Sequence, residues 1–137
     1  MVVKGSRLMD SNAGIQPARV FASFEEFWPY YLREHSKPET RALHLAGPTI
    51  AAVGLAAWYA TSQKRYLALS LLGSYGPAWF GHAVFEHNRP ATFDYPLWSL
   101  RADLLMYQKW LAGELDDAMA MAELKSKNAM LPPTIPI

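Results

Sequence analysis

Residues 41–60 read RALHLAGPTIAAVGLAAWYA and residues 66–85 read YLALSLLGSYGPAWFGHAVF, with only TSQKR between them. Apart from Arg41 at its start, neither stretch carries a formal charge. Each is close to the roughly 20 apolar residues that an α-helix needs to cross a bilayer. Two such runs joined by a short polar linker predict a helical hairpin. Each run also contains a Gly-Pro pair, Gly47-Pro48 and Gly76-Pro77. Proline inside a helix removes a backbone hydrogen bond and bends the axis, so both helices are expected to be kinked. The expected fold class is all-α: a membrane-associated hairpin of two kinked spanning helices with amphipathic flanking helices.

The flanks support this reading. Upstream, Ser23 and Glu26 form a capping-box pattern ahead of FEEFWPYYLREH (24–35). Its residues Phe24, Phe27, Trp28, Tyr30 and Tyr31 make an aromatic face, suited either to a membrane interface or to a core. Ser36 and Glu39 repeat the capping pattern, with Pro38 in the first turn where its missing N–H costs little. Downstream, Asp94 can cap a helix that starts near Pro96 and continues as PLWSLRADLLMYQKWLAG (96–113). That stretch is amphipathic rather than spanning. Gly113 is expected to break it before a last helical segment, ELDDAMAMAELKSK. These limits give a flexible arm over 1–20, a single helical membrane domain over 21–125 and a disordered tail over 126–137. The N-terminal stretch has no continuous apolar run, so a cleaved secretion signal is not expected. Arg33, Lys37, Arg41, Arg89 and Arg101 outnumber Lys64 and Arg65 in the hairpin linker, which predicts cytoplasmic termini.

Composition removes several function classes. The formal net charge is +1 and no Lys/Arg block stands out, so nucleic acid is not an expected partner. With no cysteine, disulfides, iron–sulfur clusters and thiolate zinc sites are excluded. Ser70, Ser74 and Ser99 lie in no nucleophile elbow, and no glycine loop suited to phosphate appears. What remains is histidine. His35, His44, His82 and His87 all fall at one end of the predicted hairpin, and imidazole is a favoured ligand of iron, zinc and copper.

Helical side chains lean toward their own N-terminus, so in antiparallel elements His35 and His44 lean toward each other, with His82 at similar depth. Glu86 stands four residues after His82 and is expected to share its helix face. His87, five residues on, is rotated by about 140° and joins only if the helix unwinds. The expected ligands are therefore His35, His44, His82 and Glu86, with His87 ranked below them. Three histidines and a carboxylate suit non-haem iron activating dioxygen; zinc-dependent membrane hydrolysis is the chemical rival, and a non-catalytic membrane scaffold with structural histidines is the bland one. Asp103 and Asn88 can orient an imidazole N–H. Membrane lipid is the expected environment, and self-association stays open.

The aromatic run ending in His35, the sequence His44-Leu-Ala-Gly47-Pro48 and the block GHAVFEHNRPATFDYPLWSLRAD (81–103) together resemble the metal-dependent 2-hydroxy fatty acid dioxygenases. The resemblance covers about residues 21–115. That family has a fungal member acting in fatty-acid α-oxidation and many bacterial relatives long known only as a domain of unknown function. The resemblance implies an Fe(2+) enzyme that uses dioxygen to shorten a 2-hydroxy acyl chain by one carbon. It implies His35, His44 and His82 as site residues, with Glu86 inside the motif and His87 departing from it. It also implies Arg89 or Arg101 as attractors of the substrate carboxylate. The segment PATFDYPLWSL is similar to the bacterial branch, which implies a bacterial inner membrane.

Overall fold

The computed structural model describes residues 21–130. The expected arm at 1–20 and the final part of the expected tail, 131–137, lie outside the described residues. The elements are α1 (Phe24–Glu34), α2 (Pro38–Thr61), α3 (Arg65–Gly81), a π turn (His82–Glu86), a 3-10 turn (Ala91–Phe93), α4 (Pro96–Leu111) and α5 (Leu115–Met130). Among the described residues there is no strand, as the all-α reading requires. Helix α5 continues through Met130, so residues 126–130 are helix where a tail was expected.

The first cap forms as expected. Ser23 Oγ accepts from the Glu26 N–H at 3.4 Å, while Glu26 reaches back to accept from the Ala22 N–H at 3.0 Å. The second does not. Ser36 is turned away, Lys37 is the N-cap of α2, and Pro38 opens the helix without a side-chain cap of its own. Nor does Asp94 cap α4; Tyr95 holds that position, and Asp94 pairs with Arg89 at 3.5 Å. Gly113 breaks the chain between α4 and α5 at φ +74°, a conformation in which a Cβ is strained.

Helices α1, α4 and α5 enclose the core. Phe27, Leu32, Ala102 and Met106 are completely buried, with Phe24, Tyr31, Ala91, Leu115 and Ala122 around them. Phe27 touches the rings of Phe21, Tyr30, Tyr31, Tyr95 and Trp98 at centroid distances of 5.3–5.9 Å. The aromatic face of α1 is thus mostly a core face.

The α2–α3 pair is built differently. The helices approach through small residues: a Cβ on Gly54 would stand 1.8 Å from Ser70 Oγ, and one on Gly73 2.7 Å from Ile50. Ser74 Oγ donates across the pair to the Gly47 carbonyl at 3.0 Å. This is the small-residue, hydroxyl-bridged contact that serves helices lacking a hydrophobic drive to associate. The outward faces stay bare, with Val53, Tyr59, Leu69, Leu71 and Leu72 all more than half exposed. Helix α2 is long and apolar enough to cross a membrane, and only 6% of its most apolar window is buried. Helix α3 does not match the expected second span in the same form. Its α-helical part is 17 residues long, because at His82 the ladder widens into the π turn, which ends at Glu86.

Candidate metal centre

His35 is the C-cap of α1, His44 lies two turns into α2, and His82 opens the π turn after α3. Their Nε2 atoms form a nearly equilateral triangle: 3.2 Å between His35 and His44, 3.1 Å between His44 and His82, and 3.1 Å between His82 and His35. All three rings are at least nine-tenths buried.

Each imidazole is fixed from behind through Nδ1. His35 Nδ1–H donates to the Tyr31 carbonyl at 2.6 Å, one turn back in α1. His44 Nδ1–H donates to Asp103 Oδ1 on α4 at 2.8 Å. His82 Nδ1–H donates to Asn88 Oδ1 at 2.7 Å. Asn88 is itself oriented, because its amide donates to the Glu34 carbonyl at 3.0 Å and to Glu34 Oε2 at 2.7 Å. These partners set the tautomer: with every Nδ1 protonated, every Nε2 presents a lone pair toward the other two.

Three lone pairs converging in a buried space repel one another and invite a cation. A point equidistant from the three nitrogens lies about 1.8 Å from each, just inside the roughly 2.0–2.1 Å of a metal–imidazole bond. The donor set therefore fits a divalent transition metal. Burial, reinforced by the neighbouring rings of His44 and His82, holds His35 well below its ordinary pKa of 6.5 and keeps it a neutral ligand.

The π turn makes this possible. The His87 N–H returns to the His82 carbonyl, and so does that of Asn88 at 3.2 Å. The widened turn brings Asn88 back onto the His82 ring, and π turns recur at functional sites for this kind of reason.

The same turn leaves Glu86 out of the three-histidine group, contrary to the helical-face expectation. Glu86 Oε1 accepts from the Lys37 N–H at 2.6 Å and Oε2 from Ser36 Oγ at 2.9 Å. A carboxylate is well placed there, since the first N–H groups of α2 lack partners and the helix dipole is positive. Glu86 thus supplies, from another segment, the cap that the Ser36 pattern predicted locally. His87 adopts φ +55° and is exposed outside the cluster.

Of the cationic candidates, Arg89 stands at the surface, paired with Asp94 and lying 5.4 Å from the Phe93 ring centroid. Arg101 lies 3.9 Å over the Phe24 ring. That is the far end of α1 from His35, roughly 16 Å along the helix, so Arg101 is not brought to the cluster. Arg41, which the sequence offered only as one of the basic residues on the histidine side, donates to the carbonyls of His35 and Ser36 at 2.9 and 2.7 Å and closes the α1–α2 corner.

A groove of about 530 Å³ opens beside His44 and Asp103. It runs between α2 and α3 past Gly47, Ala51 and Leu71 to Leu55 and Leu67, with Leu100 and Leu104 of α4 along its side. Among the described residues lining it, His44 and Asp103, both at the cluster end, and Tyr75 are the titratable side chains.

The family model described as 2-hydroxy-palmitic acid dioxygenase Mpo1-like matches residues 21–115, a span that contains all three histidines and their Nδ1 partners. No curated protein and no solved structure matches.

Proposed function

Because the chain belongs to the 2-hydroxy-palmitic acid dioxygenase Mpo1-like family, we propose that it is an iron(II)-dependent dioxygenase that shortens 2-hydroxy fatty acids by one carbon. The observation that carries this reading is the triangle of Nε2 atoms set at the mouth of an apolar groove. Bound iron would bring the 2-hydroxy carboxylate and dioxygen together and pass electrons between them. With the C1–C2 bond cleaved and dioxygen reduced by four electrons, the balanced products are the acid one carbon shorter, carbon dioxide and water.

The protein's part is positioning and exclusion of water. His35, His44 and His82 hold the metal, while the Tyr31 carbonyl, Asp103 and Asn88 keep their Nδ1 protons in place. The groove receives the acyl tail: from His44 to Leu55 it follows α2 for roughly 16 Å, and each buried methylene contributes about 0.8 kcal/mol. Arg89, exposed in the loop directly after Asn88, attracts the carboxylate from solution. The bare leucines of α2 and α3 belong in lipid, with α3 and its π turn together forming the second crossing. The basic residues near the histidines, against Lys64 and Arg65 at the hairpin tip, support a cytoplasmic site.

The test is anaerobic loading of purified protein with iron(II), then air and 2-hydroxy fatty acids, with products read by mass spectrometry. The expected product is one carbon shorter and needs both iron and dioxygen. A reaction that runs on zinc without dioxygen would select a hydrolase instead, since zinc accepts the same three ligands. Absence of any product would return the chain to a non-catalytic role.

A further inference from the structure

We propose that Tyr31 is a positioning residue of the metal centre, binding two of its three histidines to one side chain and one carbonyl. The proposal rests on the trihistidine reading and adds a residue to it. Tyr31 makes three contacts at once. Its backbone carbonyl accepts the His35 Nδ1–H at 2.6 Å. Its ring packs on the His35 imidazole with centroids 4.1 Å apart and planes 30° from parallel. Its hydroxyl donates to Asp103 Oδ1, the same oxygen that accepts the His44 Nδ1–H at 2.8 Å.

Three helices therefore meet on one carboxylate oxygen: α1 through Tyr31, α2 through His44 and α4 through Asp103. A carboxylate holding only His44 could turn about its own side-chain bonds. A second donor from a separate helix pins it, and through it the imidazole. The hydroxyl also draws charge from the oxygen, which moderates the electron density that Asp103 lends to His44 and hence to the metal.

Packing alone gives no reason for the hydroxyl. Tyr31 lies among Phe27 and Trp28 at centroid distances of 5.8 and 6.0 Å and is 1% exposed. A phenylalanine would fill that space equally well, yet a buried phenol without a partner is costly. The ring is explained by the core and by His35, whereas the hydroxyl is explained by Asp103.

The test uses full-length protein in detergent, stripped of metal and titrated with cobalt(II) against a competing chelator. Wild type, Tyr31→Phe, Asp103→Asn and the double variant are compared by affinity and by the visible cobalt spectrum. Tyr31→Phe is expected to weaken binding by roughly 10–100-fold and to shift the spectrum, as the loss of an outer hydrogen-bond partner does. The double variant is expected to be no worse than Asp103→Asn alone, because both changes break one chain of contacts. Unchanged affinity and spectrum in Tyr31→Phe, or full additivity in the double variant, would overturn the proposal. If Tyr31→Phe does not fold, wild type carrying 3-fluorotyrosine, a stronger phenol donor, must shift the cobalt spectrum; no shift counts against the proposal. Failure of the wild type to take up cobalt, zinc or iron would instead remove the trihistidine reading itself.

Discussion

The two halves of this molecule treat apolar side chains in opposite ways. Between α1, α4 and α5, Phe27, Leu32 and Met106 have no exposed surface. Along the outer α2–α3 hairpin, Val53 is 65%, Leu72 71% and Tyr59 87% exposed. Leucine and tyrosine side chains are alike in both places; what differs is what surrounds them. The first half satisfies itself by packing, and the second leaves a lipid-like surface and an open groove. His35, His44 and His82 sit at the seam, held by rigid packing on one side and open to the apolar groove on the other. In the proposed function the first fixes a metal and the second admits an acyl chain.

Substitutions can break this contrast at either side. The largest effect is expected from His82→Ala or His44→Ala. Either should abolish metal uptake and product formation, well beyond the roughly 10–100-fold of an outer-partner change, while far-UV circular dichroism keeps the helices. Metal analysis and product mass spectrometry check this. Next in size, Leu72→Lys at the middle of α3 should weaken membrane insertion by about 3 kcal/mol on a biological insertion scale. Carbonate extraction and a glycosylation-mapped insertion assay read it, and an unchanged insertion profile would mean that α3 does not meet lipid.

Asn88→Ala removes the partner of His82 Nδ1 and should lower metal affinity by about 10–100-fold without altering insertion. A chelator competition titration checks it. A last effect, similar in size but falling on stability rather than on metal affinity, is expected from Gly54→Ala. Its Cβ would fall 1.8 Å from Ser70 Oγ and 3.1 Å from the Tyr66 carbonyl, so the hairpin must spread at a cost of about 1–3 kcal/mol. Thermal unfolding in detergent should drop while metal affinity holds; loss of metal along with stability would show that the two halves are not separable.

Much of this architecture was legible in the sequence, because it follows from regular helices. The uncharged runs, the Ser23 cap, the break at Gly113 and the convergence of His35, His44 and His82 follow from 3.6-residue periodicity and the lean of helical side chains. The departures share one cause, which is that they depend on irregular backbone or on distant partners. Nothing in HAVFE announces a π turn, yet that turn moves Glu86 from the His82 face to the first N–H groups of α2. Tyr31 read as one aromatic among five, since its hydroxyl partner lies 72 residues away. Arg101 read as basic and near the motif, but its guanidinium prefers the face of Phe24. Asp94 looked like a cap, and Arg89 holds it in the loop.

X-ray absorption at the metal edge of iron-loaded, untagged protein reads the atoms around the proposed metal directly. Three histidine imidazoles at roughly 2.1 Å, recognised by their outer-ring scattering, are the expected result, and His44→Ala should remove that signal. A coordination sphere with one imidazole or none, dominated by carboxylate or water oxygens, would contradict it.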